Sequence, residues 1–160
     1  MIFIIAHHPP HREQIIQYLD QRGYDICVAP HRENVCDWIK HIKPHVIVLD
    51  AFLTSPSPIT VLQSIRSEGF KGKVILLANP SISSLLSDMH RLGVDQVVGG
   101  PRFSDDDINF DQLESSIRLV VHPLIATRAN EIYLAGGTQK EKALDHWLQA
   151  EQEILFKKKP

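Results

Sequence analysis

The chain lacks most of the patterns that assign a function directly. Its 160 residues include only two cysteines, Cys27 and Cys36, and their spacing fits neither a CxxC pair nor a zinc site. This favours a reduced protein of the cytoplasm. The amino-terminal apolar run, MIFIIA, is too short for a signal peptide or a membrane span. Since no HExxH motif, P-loop or dinucleotide-binding fingerprint occurs, we do not expect an independent enzyme.

Excess positive charge is also missing. The 17 Lys and Arg residues are balanced by 19 Asp and Glu, and the formal net charge is -2 with the histidines neutral. Proteins that bind nucleic acid neutralise phosphates with clustered basic residues. We therefore expect neither a nucleic-acid partner nor a membrane partner.

A strongly apolar segment stands near the middle of the chain. Residues 44–54 read PHVIVLDAFLT, with a predicted strand at 46–49. An unbroken apolar run is typical of a strand that is covered on both faces of a parallel sheet. Asp50 follows at the carboxyl end of this strand, where open α/β sheets place ligands and chemistry. Asp50 is therefore a functional candidate, and a loop-capping role is the alternative.

Strands and helices alternate along the first 121 residues. Each apolar run is followed by a segment of helical periodicity, and the predicted strands are 2–6, 24–28, 46–49, 73–77 and 94–98. Five βα units in succession predict one parallel sheet with helices on both faces, because each parallel connection needs a right-handed crossover. The residues that follow the strands would share one edge of the sheet: His7, His8, Asp50, Ala78, Asn79, Gly99 and Gly100.

Residues 1 to about 121 resemble the receiver domain of bacterial two-component response regulators. The resemblance depends on the strand HVIVLD ending in Asp50, the helix LQSIRSEGF, the strand KVILLAN, and GVDQVV followed by GGP. The last stretch is similar to the family's G-A-D-D-Y-L-x-K-P. The resemblance implies a doubly wound, flavodoxin-like α/β fold with five parallel strands in the order 2-1-3-4-5. It also implies a place in two-component signal transduction or a phosphorelay.

The resemblance further implies that Asp50 occupies the phosphoacceptor position, but the rest of the family's site differs. Two acidic residues that help to hold magnesium align with Ala6 and His7. The family's Thr or Ser aligns with Ala78, and its lysine aligns with Gly100. Magnesium needs oxygen ligands, and phosphoryl transfer also uses a cation and a hydroxyl group. The sequence thus predicts a pseudo-receiver without a magnesium site or other cofactor, whose degenerate pocket consists of Ala6, His7, His8, Ala78, Asn79 and Gly100 around Asp50.

Three functions remain open at this point. The favoured one is a signalling or scaffold module that binds a protein partner, through the fourth helix, fifth strand and fifth helix that receiver domains commonly use, with a homodimer as one option. The second is a transition-metal-binding or metal-sensing module in which His7, with His8 or His11, joins Asp50. Adjacent histidines on an extended chain point to opposite sides, which argues against two of them binding one ion. The third is a receiver that is still phosphorylated at Asp50.

The pattern changes beyond Val121, so we predict two domains, a receiver-like domain at 1–121 and a helical extension at 122–160. His122-Pro123 should interrupt the preceding helix. Two further helices should then be joined at Gly136-Gly137. The apolar residues expected to line the second of these helices are Leu144, Trp147, Leu148, Ile154 and Leu155.

So short a helical hairpin cannot bury much apolar surface alone. We therefore expect it to dock on the receiver-like domain or on a second subunit. Residues 128–133 and 143–151 resemble a short helical bacterial family of unknown function, with its R-A-x-E-I-Y and A-L-D-x-W-L-x-A-E stretches. The resemblance implies no activity for the extension.

Overall fold

The fold is a five-stranded parallel sheet with helices on both faces. The computed structural model describes residues 1–6, 9–30, 35–78, 83–99, 108–136 and 142–157. The elements in chain order are β1 (Ile2–Ile5), α1 (Pro9–Gln21), β2 (Ile26–Val28), α2 (Val35–Ile42), β3 (Val46–Asp50), α3 (Pro58–Ser67), β4 (Lys73–Leu77), α4 (Ser83–Arg91), β5 (Gln96–Val98), α5 (Phe110–Ala135) and α6 (Ala143–Leu155). The strand order is β2-β1-β3-β4-β5, which confirms the predicted topology.

Strand β3 is the centre of the sheet, and all five of its residues are buried. It pairs in parallel with β1 on one side and with β4 on the other. Successive side chains of a strand point to opposite faces. Val46 and Val48 accordingly pack in the core beneath α1, α5 and α6, whereas Ile47 and Leu49 pack in the core beneath α2, α3 and α4. The unbroken apolar run thus fills two cores at once.

Helix α5 is longer than the sequence predicted. It runs without interruption for 26 residues and contains Pro123, so the predicted interruption at His122-Pro123 is wrong. The proline lies on the exposed side of the helix, and Leu119, four residues earlier, is also exposed. Water can therefore satisfy the carbonyl group that loses its partner. The predicted domain boundary after Val121 falls inside this helix. No helix within the described ranges is both long and apolar enough to cross a membrane.

Helix α6 docks on the α/β domain, which was one of the two expected arrangements. Ile154 and Leu155 are buried in the same core as Leu19 of α1, and Phe156 stacks on Tyr24 with ring centroids 4.9 Å apart. The backbone N–H of Asp25 donates to the carbonyl of Leu155 at 2.8 Å. The carboxyl end of α6 is thereby fixed beside β2.

The predicted apolar face of α6 is partly wrong. Leu144 and Leu148 are 68% and 52% exposed, whereas Ala150 is fully buried. At 100° per residue, Leu144 and Leu148 lie on the far side of the helix from Ala150. The docking face of α6 therefore includes Ala150 and Ile154, and Leu155 joins it at the carboxyl end of the helix.

A partly buried carboxylate connects α1, the segment before β2, and α5. Glu114 accepts hydrogen bonds from the hydroxyl groups of Tyr24 at 2.9 Å and Tyr18 at 3.0 Å. The Nε of Arg22 lies 3.2 Å from the same carboxylate, and Nη2 of Arg118 lies 3.5 Å from it. Residues about ninety positions apart in sequence are therefore joined by one acid.

The electrostatics of Glu114 favour its charged form. Burial alone raises its pKa, but the hydrogen bonds from Tyr24 and Tyr18 and the charges of Arg118 and Arg22 outweigh burial and hold the pKa below its usual range. Burial and the bond to Glu114 together raise the pKa of Tyr24, which keeps its hydroxyl group a donor. Arg118 also contacts Glu151 of α6 at 2.7 Å, so the network extends to the last helix.

Strands β4 and β5 end in very close contact. The backbone N–H of Ala78 donates to the carbonyl of Val98 at 2.9 Å. A Cβ atom built on Gly99 would lie 1.9 Å from the carbonyl oxygen of Ala78. Glycine is therefore required at position 99, because the neighbouring atom belongs to the backbone and cannot rotate away.

We predict that Glu114→Gln lowers the free energy of unfolding at neutral pH by about 1 to 3 kcal/mol, because the hydroxyl group of buried Tyr24 and the half-exposed guanidinium groups of Arg22 and Arg118 lose a charged partner. An acid whose pKa is lowered by folding stabilises the protein above its unfolded pKa, and this contribution is lost as pH falls through the folded value. The difference in the free energy of unfolding between the parent protein and Glu114→Gln should therefore shrink in acid, as measured by urea unfolding at several pH values.

The control is Glu131→Gln on the exposed side of α5, expected to change stability by less than about 0.5 kcal/mol. Equal effects at both positions would contradict the network.

We also predict that Gly99→Ala destabilises the protein by at least about 3 kcal/mol, because the added methyl group overlaps a backbone carbonyl. The control is Gly69→Ala, where φ is +84° but no atom lies within 4 Å of the new Cβ. That change should cost only about 1 to 2 kcal/mol. Thermal or urea unfolding compares the two, and a Gly99→Ala protein as stable as Gly69→Ala would show that the two strands can move apart.

Candidate functional site

The candidate site is the carboxyl edge of the sheet, around Asp50. The predicted position is confirmed: Asp50 is the last residue of β3 and is 4% exposed. Its Oδ1 accepts a hydrogen bond from the backbone N–H of Phe52 at 2.8 Å, the geometry of an Asx turn. The N–H of Ala51 donates to the carbonyl of Leu77 at 2.9 Å, which keeps the chain beside β4 as it leaves the sheet. The carboxylate is thus held in place by its own loop.

The described neighbours of Asp50 at this edge carry no polar side chain. Ala6 follows β1, Ala78 follows β4 and Gly99 follows β5. In the parallel register Asp50 pairs with Leu77, so Ala78 begins the next loop beside it. Ala6 and Ala78 therefore follow the two strands that flank β3, and Gly99 follows β5, one strand further away.

Four residues of the predicted pocket cannot be placed. His7, His8, Asn79 and Gly100 lie outside the described residues, so the structure does not test whether they reach Asp50. His11, a further residue of the metal hypothesis, lies in the first turn of α1. The predicted edge is therefore observed for Ala6, Asp50, Ala78 and Gly99.

The described donor set does not match a magnesium site. Magnesium prefers six oxygen ligands in octahedral geometry, usually with carboxylates among them. Asp50 supplies one carboxylate, and Ala6 and Ala78 supply none. Across the described ranges, no group of three or more His, Cys, Asp or Glu side chains is arranged to hold a metal ion.

Of two features of this edge, one was offered by the sequence as an alternative and the other was not identified. The bond between Asp50 and the N–H of Phe52 is the loop-capping contact that the sequence offered as the alternative role of Asp50. The double glycine at 99–100 indicates a sharp turn, but the contact with the Ala78 carbonyl depends on the pairing of β4 and β5. The contact between Gly99 and Ala78 could not be named without the sheet order.

Comparison with known proteins identifies the family. A family model described as the response regulator receiver domain matches residues 2–106. A search of curated proteins found no match. Among solved structures, the chain resembles the N-terminal domain of an uncharacterized protein from Wolinella succinogenes, with a TM-score of 0.67 and 20% identity over 79% of this chain and 97% of that chain.

Two further structures show the same fold. A two-component response regulator from Clostridium difficile has a TM-score of 0.65 and 17% identity, over 77% of this chain and 96% of that chain. The receiver domain of a Francisella response regulator has a TM-score of 0.64 and 18% identity, over 77% of this chain and 97% of that chain. These identities support the fold, and the family model covers more than half of the 160 residues. The chain therefore belongs to the response regulator receiver domain family and contains a receiver-domain signalling module.

Proposed function

We propose that this chain is a degenerate receiver that signals through contact with a protein partner, without magnesium-dependent phosphorylation of Asp50 and without enzymatic activity of its own. The observation that carries the proposal is the surroundings of Asp50. Its described neighbours across the carboxyl edge, Ala6 and Ala78, present methyl groups where the family places an acid and a hydroxyl group. The aspartate is kept, but its chemical partners are not.

The chemistry explains why the partners matter. Phosphoryl transfer relies almost entirely on positioned cations and hydrogen-bond donors that stabilise the charge on the moving phosphoryl group. Asp50 alone offers a nucleophilic oxygen and no means of neutralising that charge. A side chain whose Oδ1 already accepts the N–H of Phe52 fits a structural role in the loop after β3.

The surface proposed for the partner is formed by α4, β5 and α5. β5 is an edge strand of the sheet, and Leu119 on α5 is 61% exposed. An edge strand and an exposed apolar side chain on a helix each suit contact with another protein. Helix α6 contacts α5 through Arg118 and Glu151 and reaches β2 through Phe156, at the opposite side of the sheet from β5.

We predict that the full chain acquires no phosphate on Asp50 when it is incubated with magnesium and acetyl phosphate, as measured by intact mass and peptide mapping. The comparison protein carries Ala6→Asp, His7→Asp, Ala78→Thr and Gly100→Lys, which restore the family's acids, hydroxyl group and lysine. The restored protein should bind magnesium and gain one phosphate, because the missing charge stabilisation has returned.

Two results would contradict this proposal. One is a phosphorylated peptide containing Asp50 in the unmodified chain that is absent from Asp50→Ala. The other is a stoichiometric transition metal in the purified protein that is lost in both His7→Ala and Asp50→Ala. The second result would establish the metal-binding function considered from the sequence.

We predict that Leu119→Arg abolishes binding of a protein partner captured by the full chain, because a charge replaces an exposed apolar contact. Leu134→Arg is the matched control, since Leu134 lies on the same helix and is 65% exposed but is near its carboxyl end. The measurement is affinity for the captured partner, with thermal unfolding to show that both variants fold. Equal loss at the two positions would place the partner elsewhere.

A further inference from the structure

A concave site lies at the opposite edge of the sheet from Asp50. The ends of α2 and α3, together with the loops that enter β3 and β4, enclose a cleft of about 340 Å³. Its apolar walls are Ile39, Pro44, Ile65 and Phe70, and three lysines surround it: Lys40, Lys43 and Lys71. This volume lies at the lower end of the range for small-molecule sites, which are commonly apolar with a few polar groups.

One arginine fixes the wall of this cleft. Nη1 of Arg66 donates to the carbonyls of Phe70 at 2.8 Å and Gly72 at 3.0 Å. Its guanidinium group also lies 5.5 Å from the centre of the Phe70 ring. A Cβ atom on Gly72 would lie 2.3 Å from that ring, so only glycine allows the ring to take this position without a shift. The wall is therefore held in its present form before any ligand arrives.

The charges around the cleft are unbalanced. Lys40 forms an ion pair with Glu68, and this hydrogen bond raises the pKa of Lys40. Lys43 and Lys71 have no carboxylate partner among the residues that the structure describes, and the described contacts of Arg66 are with carbonyl groups and the Phe70 ring. The cleft thus combines an apolar interior with a positive border.

The backbone at Lys43 adds an independent observation. Lys43 has φ of +50°, in the left-handed region that favours glycine, and its N–H closes α2 by donating to the carbonyl of Ile39 at 2.9 Å. A glycine at this helix end would avoid the strain of a side chain in that conformation. Residues with a strained backbone cluster at ligand sites, where the contacts of the side chain with the ligand offset the cost of the strain.

We propose that this cleft binds a small amphipathic anion, a carboxylate carried on an apolar chain or ring. The apolar part would lie against Ile39, Ile65 and Phe70, and the carboxylate would meet Lys43 and Lys71. A neutral apolar molecule would leave the two ammonium groups unused, and a small inorganic anion would leave the walls exposed to water.

The first experiment compares three probes on the full chain by titration calorimetry and by amide NMR. Octanoate has both required parts, octylammonium has the same chain with the opposite charge, and acetate has the charge without the chain. We expect saturable binding of octanoate alone, with shifts at residues lining the cleft. Octylammonium binding as tightly as octanoate, or no saturable binding of octanoate, would overturn the proposal.

The second experiment uses variants that keep the fold. Lys43→Gly removes one charge at a position where glycine is the better residue, so the variant should be at least as stable as the parent. It should nevertheless bind octanoate about two- to fivefold more weakly, as should Lys71→Gln. Lys142→Gln, at the start of α6, is the matched control and should bind normally.

Cys36→Phe tests the cavity rather than the charge. Cys36 lines the cleft, so a phenyl ring there would occupy its volume while both lysines remain. Octanoate binding should be lost in this variant. Unchanged octanoate affinity in Lys43→Gly, or in a folded Cys36→Phe protein, would show that the probe binds elsewhere and would overturn the assignment.

Discussion

The structure depends most on the burial of β3 between two paired strands. Hydrogen bonding to β1 and β4 leaves no side of this strand open to water, and its side chains enter both cores. A polar side chain is therefore first accommodated where the strand leaves the sheet, at Asp50. Because parallel strands end together, the residues after β1 and β4 become its neighbours, and the composition of the site follows from the register.

Features that are encoded locally could be predicted from the sequence. The apolar run before Asp50 and the helical periodicities between strands gave the sheet order through the family resemblance, and the sheet order placed Ala6 and Ala78 beside Asp50. Pro123 shows the limit of a local rule. Its effect depends on whether the unpaired carbonyl faces water, and only the packing of α5 determines that.

Long-range choices were not predictable. Helix α6 exposes Leu144 and Leu148 but buries Leu155, and the side that docks is decided by the shape of the surface formed by α1, β2 and α5. Glu114 joins Tyr18 and Tyr24 across 96 and 90 positions of sequence, with no motif that would connect them. The cleft near Lys43 could not be predicted from the sequence either. It is formed by the ends of two helices and by a backbone angle that lysine seldom adopts.

The two edges of the sheet are separated by the length of β3, about 16 Å for five residues at roughly 3.3 Å each. That distance exceeds the Debye length of about 8 Å at physiological salt, so exposed charges at one edge act weakly on exposed charges at the other. Coupling between the cleft and the surface of α4, β5 and α5 therefore needs direct contacts. Arg66 provides them, because the guanidinium that holds Phe70 and Gly72 also donates to the carbonyls of Leu92 at 3.2 Å and Gly93 at 2.6 Å, directly after α4. A ligand that displaced Phe70 would have to change these bonds, which connect the cleft physically to the loop after α4.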